Sequence, residues 1–258
     1  MPRRRGSALA PLWRWLGWLI AATFALQLFF AARVALMARI DPQSTAFQRS
    51  ELFRLAVDAP QPLAWRQHWL PYAQISNHLK RAVIASEDAG FARHRGVQWD
   101  AIQKAWQRNT SAEQRAAARA AAAGEDDETD VQIQNKKIYG GSTITQQLAK
   151  NLLLSGERSY LRKGQELLLS VLLETLLSKP RILEIYLNNV EWGRGVFGAE
   201  AAARHYFRKS ARDLTALEAA RLAVMLPRPR YFERLPNSPY LARRTRLIAR
   251  WMETTELP

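Results

Sequence analysis

The chain has no cysteine among its 258 residues, which excludes a disulfide framework and any thiolate metal site. Acid is missing from the first forty residues, which hold six arginines, and charge of either sign is missing from the eighteen residues Trp15 to Ala32. As a helix that uncharged run would be roughly 27 Å long, about one bilayer core. Also scarce is period-two alternation: between Ile75 and Met252 almost no segment alternates apolar with polar. A sheet-built domain is thereby excluded, and a mainly α domain is expected.

What is abundant is positive charge. The formal net charge of +15 is spread along the whole chain, which suits an anionic membrane or nucleic acid. The N-terminal sequence favours the membrane. Arg3, Arg4, Arg5 and Arg14 outnumber Arg33 and Arg39 across the apolar run, while Trp13, Trp15 and Trp18 stand where an aromatic belt would. That asymmetry puts the N-terminus in the cytoplasm. A cleaved signal peptide shares the basic start, but Ala31-Ala32-Arg33 offers no clean small-x-small site, so an uncleaved single-pass anchor is expected. The expected order is a basic tail over 1–14, a transmembrane anchor over 15–36 and a stalk over 37–68, followed by a domain over 69–240 and a basic helix and tail over 241–258. Pro42, Pro60 and Pro62 discourage long helices in the stalk.

The domain is organised around Gly140-Gly141-Ser142-Thr143-Ile144-Thr145-Gln146-Gln147-Leu148-Ala149-Lys150-Asn151. It reads as a loop entering a helix, with Ser142 placed to cap the first free N–H groups. At helical spacing Thr143, Gln147 and Lys150 share one face, and Ile144, Leu148 and Leu152 another. Hydrogen-bonding groups ending in a cation at a helix start suit a phosphate or pyrophosphate, although an amphipathic helix with a solvated face has the same spacing.

Two further stretches hold carboxylates in informative settings. Ile75 to Ser86 reads as a helix that delivers Glu87-Asp88-Ala89-Gly90-Phe91-Ala92-Arg93-His94-Arg95-Gly96. If the helix continues, Glu87, Phe91 and His94 face one way, and a carboxylate shielded by a ring moves toward a general-base pKa. A polar helix end with a satisfied histidine is the alternative. Downstream, Arg162-Lys163-Gly164-Gln165-Glu166 opens a strongly apolar helix to Leu177. Glu166 there is either one half of a surface ion pair or a half-buried carboxylate where core meets cleft.

The literal strings resemble the signatures of the family 51 glycosyltransferases, which polymerise the glycan strands of bacterial peptidoglycan. Glu-Asp-x-x-Phe-x-x-His-x-Gly at Glu87 resembles the first, the Gly140 to Asn151 string the second, and Arg-Lys-x-x-Glu at Arg162 the third. Ser178 to Asn188 is similar to the fourth, and Glu191 to Phe207 to the fifth, with Arg208 where the family commonly has glycine. All five stand in order between about Trp69 and Pro239.

The resemblance implies a lysozyme-like, two-lobed helical glycosyltransferase domain behind an N-terminal transmembrane helix, with a smaller membrane-associated jaw. The interval near 110–135, alanine-rich and then acidic from Glu125 to Asp130, is longer than in the family and is expected to be an inserted, solvated jaw loop. The implied reaction joins lipid II units into β-1,4 strands with inversion and release of a polyprenyl pyrophosphate. Glu87 would be the base for the acceptor 4-hydroxyl, and Lys150, Arg162 and Lys163 the pyrophosphate clamp. Glu166 would orient that clamp, help hold a divalent ion or assist the leaving group. Thr143, Gln147 and Asn151 would line the donor side, with Asp88, Phe91 and His94 beside the base.

No cofactor is required by the resemblance, and magnesium or manganese near Glu166 is left open. Its implied partners are lipid II, the growing strand and the bacterial inner membrane, with the domain in the periplasm. Other cell-wall synthases and division proteins stay open as partners, and nucleic acid is not expected. Neither Ser-x-x-Lys nor Lys-Thr-Gly occurs, so no penicillin-binding transpeptidase activity is expected. Two rivals are an anchored lytic muramidase, which has no use for an anion clamp, and a noncatalytic basic scaffold.

Overall fold

The computed structural model describes residues 10–58, 65–98, 103, 107, 110, 142–154 and 159–258. Gly140, Gly141 and, apart from Thr110, the inserted loop near 110–135 lie outside the described residues, as does most of the short helix expected from Asp100 to Gln107.

Helix α1 (Ala10–Leu36) contains the apolar run and extends beyond it at both ends. Residues Pro11–Leu36 are long and apolar enough to cross a membrane, and Trp15, Trp18, Leu19 and Phe24 project from it unburied. Its far end docks onto the domain. Val34 and Met37 are buried, and Gln27, the strongly polar residue of the run, exchanges two amide hydrogen bonds with Gln165 at 3.1 and 3.2 Å.

The prolines of the stalk do not prevent a helix of several turns, contrary to the expectation. Helix α2 (Ala46–Asp58) spans thirteen residues of it, because Pro42 and Pro60 fall outside this interval and leave the backbone donors between them intact. Thr45 and Gln48 close a reciprocal box at its start, the Thr45 amide donating to Gln48 Oε1 and the Gln48 amide to Thr45 Oγ1. Gln48 also donates to the Asn189 carbonyl, and Leu55 is buried. A short strand β1 (Arg66–Gln67) then pairs parallel with β3 (Val196–Phe197), itself antiparallel to β2 (Glu191–Gly193). Sheet order is β1-β3-β2.

The domain core is helical. Helix α3 (Asn77–Glu87) starts at Ser76, whose hydroxyl accepts the His78 N–H, and buries Leu79, Ala82, Val83 and Ile84. It packs against α8 (Ala216–Met225) and α10 (Pro239–Trp251). Helix α4 (Ile144–Leu153) lies against α5 (Tyr160–Leu176) and α6 (Lys179–Asn189), and α7 (Ala199–Phe207) and α9 (Pro229–Arg234) follow. Gly198, at φ +83°, cannot be replaced: a Cβ there would stand 2.7 Å from the Asn188 carbonyl oxygen. Arg208 ends α7 in the left-handed region at φ 57°, a conformation that costs an L residue roughly 1 kcal/mol. The residue that departs from the family pattern thus occupies a position suited to glycine.

Candidate active site

The cleft, about 750 Å³ in volume, is bordered by the end of α3, one face of α4, the start of α5 and the connector helix α2. Glu87 is the last residue of α3, where Asp88 turns out of the helix at φ −161°. Asp88 does so because its carboxylate is drawn inward. It accepts the Ile144 N–H at 3.0 Å and sits 2.9 Å from His94 Nε2, while His94 Nδ1 accepts the Gly96 N–H. The pair therefore ties the end of α3 to the start of α4.

This corrects one expectation. Phe91 and His94 do not share a face with Glu87, because the helix stops between them; Phe91 is fully buried with Lys179 Nζ 4.3 Å above its ring. Asp88, Phe91 and His94 do not line the cleft.

A second correction concerns the start of α4. Thr143, not Ser142, is the N-cap, closing a capping box with Gln146. Its hydroxyl accepts the Gln146 N–H and donates to the Gly96 carbonyl at 2.6 Å, and the residue is 2 % exposed. Thr143 is thus consumed by folding, whereas Ser142, Gln147, Lys150 and Asn151 face the cleft.

Glu87 Oε2 accepts a hydrogen bond of 3.0 Å from Gln147 Nε2. Burial pushes the Glu87 carboxyl above its ordinary value of 4.5; hydrogen bonds from Gln147 and Ser86 oppose this, and neighbouring Asp88 adds to it. Gln147 is itself fixed by Tyr186, whose hydroxyl donates to Gln147 Oε1 at 3.0 Å. Tyr186 is 1 % exposed, and burial pushes its phenol well above the usual range, so it stays a donor. A donor on one side of the amide forces the amide NH₂ toward Glu87. Tyr186 is the residue that sequence reasoning missed. At helical spacing from Ile182 it reads as core, and its only signal is a polar hydroxyl on an apolar face.

Lys150 and Arg162 border the same cleft. Glu166 is buried at 3 % exposure, accepting from Arg162 Nη1 at 3.1 Å and Lys163 Nζ at 2.5 Å. Neither Glu166 nor the half-exposed Lys163 borders the cleft. Glu166 therefore holds Arg162 from behind. Among the described residues no cluster of three His, Asp or Glu side chains is placed to hold a metal ion. Both Glu166 oxygens already face cations, so the group does not fit a divalent ion.

A family model described as transglycosylase matches residues 59–253. A protein of Paraburkholderia xenovorans named biosynthetic peptidoglycan transglycosylase is 50% identical over 259 residues, covering 99% of this chain and 98% of its own. One of the same name from Paraburkholderia phytofirmans is 49% identical over 259 residues, with 99% and 98% covered. Another, from Burkholderia thailandensis, is 51% identical over 260 residues, with 99% and 91% covered. With half the residues shared along nearly the whole chain, and a cleft that joins a shielded carboxylate to a pair of cations, the chain belongs to the transglycosylase family.

Proposed function

We infer that the protein is a membrane-anchored peptidoglycan glycosyltransferase that polymerises lipid II and has no transpeptidase activity. The observation that carries this reading is the pairing, in one cleft, of Glu87 with Lys150 and Arg162. Glu87 takes the proton from the acceptor 4-hydroxyl as that oxygen attacks the anomeric carbon of the donor. The bond from that carbon to the pyrophosphate breaks, and its electron pair leaves with the pyrophosphate. Lys150 and Arg162 meet the charge that develops there. A good leaving group needs this electrostatic help more than a proton, and attack opposite the departing group inverts the anomeric centre to β. Asn151 and Gln147 border the donor side, and Lys163 supports the clamp through Glu166.

Anchoring is supported by α1 and by its neighbour. Leu161, Leu168 and Val171 stand exposed on the helix to which α1 docks, an apolar stripe suited to the bilayer edge. The arginine asymmetry orients the N-terminus to the cytoplasm and the domain to the periplasm.

The test is polymerisation by the detergent-solubilised full chain. Lipid II converted into long strands that a muramidase cuts is the expected result. Soluble fragments released from purified cell wall, with no polymer from lipid II, would favour a lytic enzyme instead.

A further inference from the structure

Beyond the end of the cleft lies a second cavity of about 220 Å³, lined by Arg54, Arg194, Arg230, Glu233 and Arg234. The two spaces are neighbours. Ser50 and Pro229 border the cleft; Arg54 follows Ser50 by one turn of α2, and Arg230 is the residue after Pro229. Glu191 forms part of the wall between them, lining the cleft and accepting from Arg230 Nε at 2.8 Å.

The guanidinium groups are held in place from behind. Glu51, 5 % exposed, accepts two hydrogen bonds from Arg54, and lies 2.7 Å from Arg230 Nη2. Burial works against its ionisation, but the hydrogen bonds and charges of Arg54 and Arg230 outweigh this and keep its carboxyl below the ordinary value. Opposite them, the side chains of Arg194 and Arg234 are exposed and form no ion pair among the described residues. Glu233 accepts the Arg194 backbone N–H at 2.9 Å. Arg194 and Arg234, without an ion pair among the described residues, leave positive charge at the mouth of the cavity.

We propose that this cavity is a subsite for the carboxylates of the acidic peptide stems borne by the glycan strand as it leaves the cleft. The proposal rests on the polymerase reading above. Lys150 and Arg162, which meet the pyrophosphate, line the cleft and not this cavity, so the part of the substrate left for the cavity is sugar with its peptide substituents. Planar forks of N–H donors on Arg194 and Arg234 match a carboxylate, whose binding neutralises the excess charge.

The test uses the full chain in neutral detergent with two donors, lipid II and its analogue lacking the peptide stem. For Arg194→Ala/Arg234→Ala, KM for lipid II should rise about tenfold with kcat within about twofold, while KM for the stem-free analogue stays at the wild-type value. Arg194→Lys/Arg234→Lys should fall between, since charge remains and the fork is lost. An equal rise for both donors, or no rise, would overturn the subsite. So would an effect that occurs only when anionic lipid is added, which would assign the cavity to a headgroup. Calorimetry with the free stem peptide is read without turnover, which separates failure of the subsite from failure of the polymerase reading. Binding to wild type and loss in the double alanine variant support the proposal, and equal heats for the two proteins contradict it.

Discussion

Glu87 takes a neutral amide, Gln147, as its partner, whereas Glu166 takes two cations, Arg162 and Lys163. Glu87 is half-buried at the end of α3 and Glu166 is buried on α5, and both belong to strings that look alike in a sequence, an acid beside other polar residues. The difference lies in what replaces water. An amide leaves a carboxylate able to accept a proton, because it supplies one hydrogen bond and no net charge. Two cations instead build the acid into a charge framework that aims a guanidinium at the cleft. In the proposed reaction one carboxylate takes a proton and the other holds a cation in place.

The largest effect that would break this comparison is at Glu87. Glu87→Gln should lower polymerisation by about 10³-fold, in the range for a lost general base. Stability should move the other way. Because the folded-state pKa of Glu87 is raised, the folded chain favours the protonated form, and the stability this contributes is present at low pH and lost as pH rises through the folded value. Thermal unfolding at neutral pH should therefore show the variant as stable as wild type or more so, with the gap closing in acid.

Glu166→Gln should behave in the opposite sense. It leaves Arg162 and Lys163 together without their shared anion, so unfolding by denaturant should show a loss of about 1–3 kcal/mol. Turnover should fall about tenfold as Arg162 loses its hold. Equal stability in the two variants would erase the distinction between the carboxylates.

Gln147→Leu sharpens the comparison without deleting either acid. If Glu87 is the base, only its ionised form can take a proton, and activity should fall as pH drops through its raised pKa. Removing the Gln147 hydrogen bond, which favours the ionised form, should move that acid limb to higher pH in a pH–rate profile. Tyr186→Phe should shift it in the same direction by less, through the freed amide. A limb that moves down, or not at all, would contradict the relay.

The smallest effect lies outside both carboxylates and serves as a control. Arg208→Gly removes the only non-glycine residue with positive φ among those described, and should stabilise the fold by up to about 1 kcal/mol with polymerisation unchanged. A loss of activity there would mean that stability and catalysis are not separable in this chain.

Much of this was legible in the sequence, and for physical reasons. Helix α3 and helix α5 follow from apolar spacing, and Pro180 marks the start of α6. Glu87, Gln147, Lys150, Asn151 and Arg162 all reach the cleft. The readings that failed depended on where a helix ends. Whether Phe91 and His94 follow Glu87 is decided by a contact between Asp88 and Ile144, 56 positions apart, and no local pattern encodes it. Thr143 looked like a cleft residue because the cap was assigned one position early. The helix in the stalk was hidden by counting prolines without asking which interval they leave free. The hydroxyl of Tyr186 on an apolar face was a faint signal, and its partner, Gln147, stands 39 positions away.

The account rests most heavily on Glu87 as the group that takes the proton. The direct measurement is single-turnover polymerisation of lipid II across pH by wild type and by a Glu87→Gln variant shown by thermal unfolding to be folded. The account predicts a wild-type rate that rises with pH through a value above the ordinary 4.5 of a glutamate and a variant about 10³-fold slower with that rise abolished. A variant within about tenfold of wild type, or one that keeps the same acid limb, would contradict it.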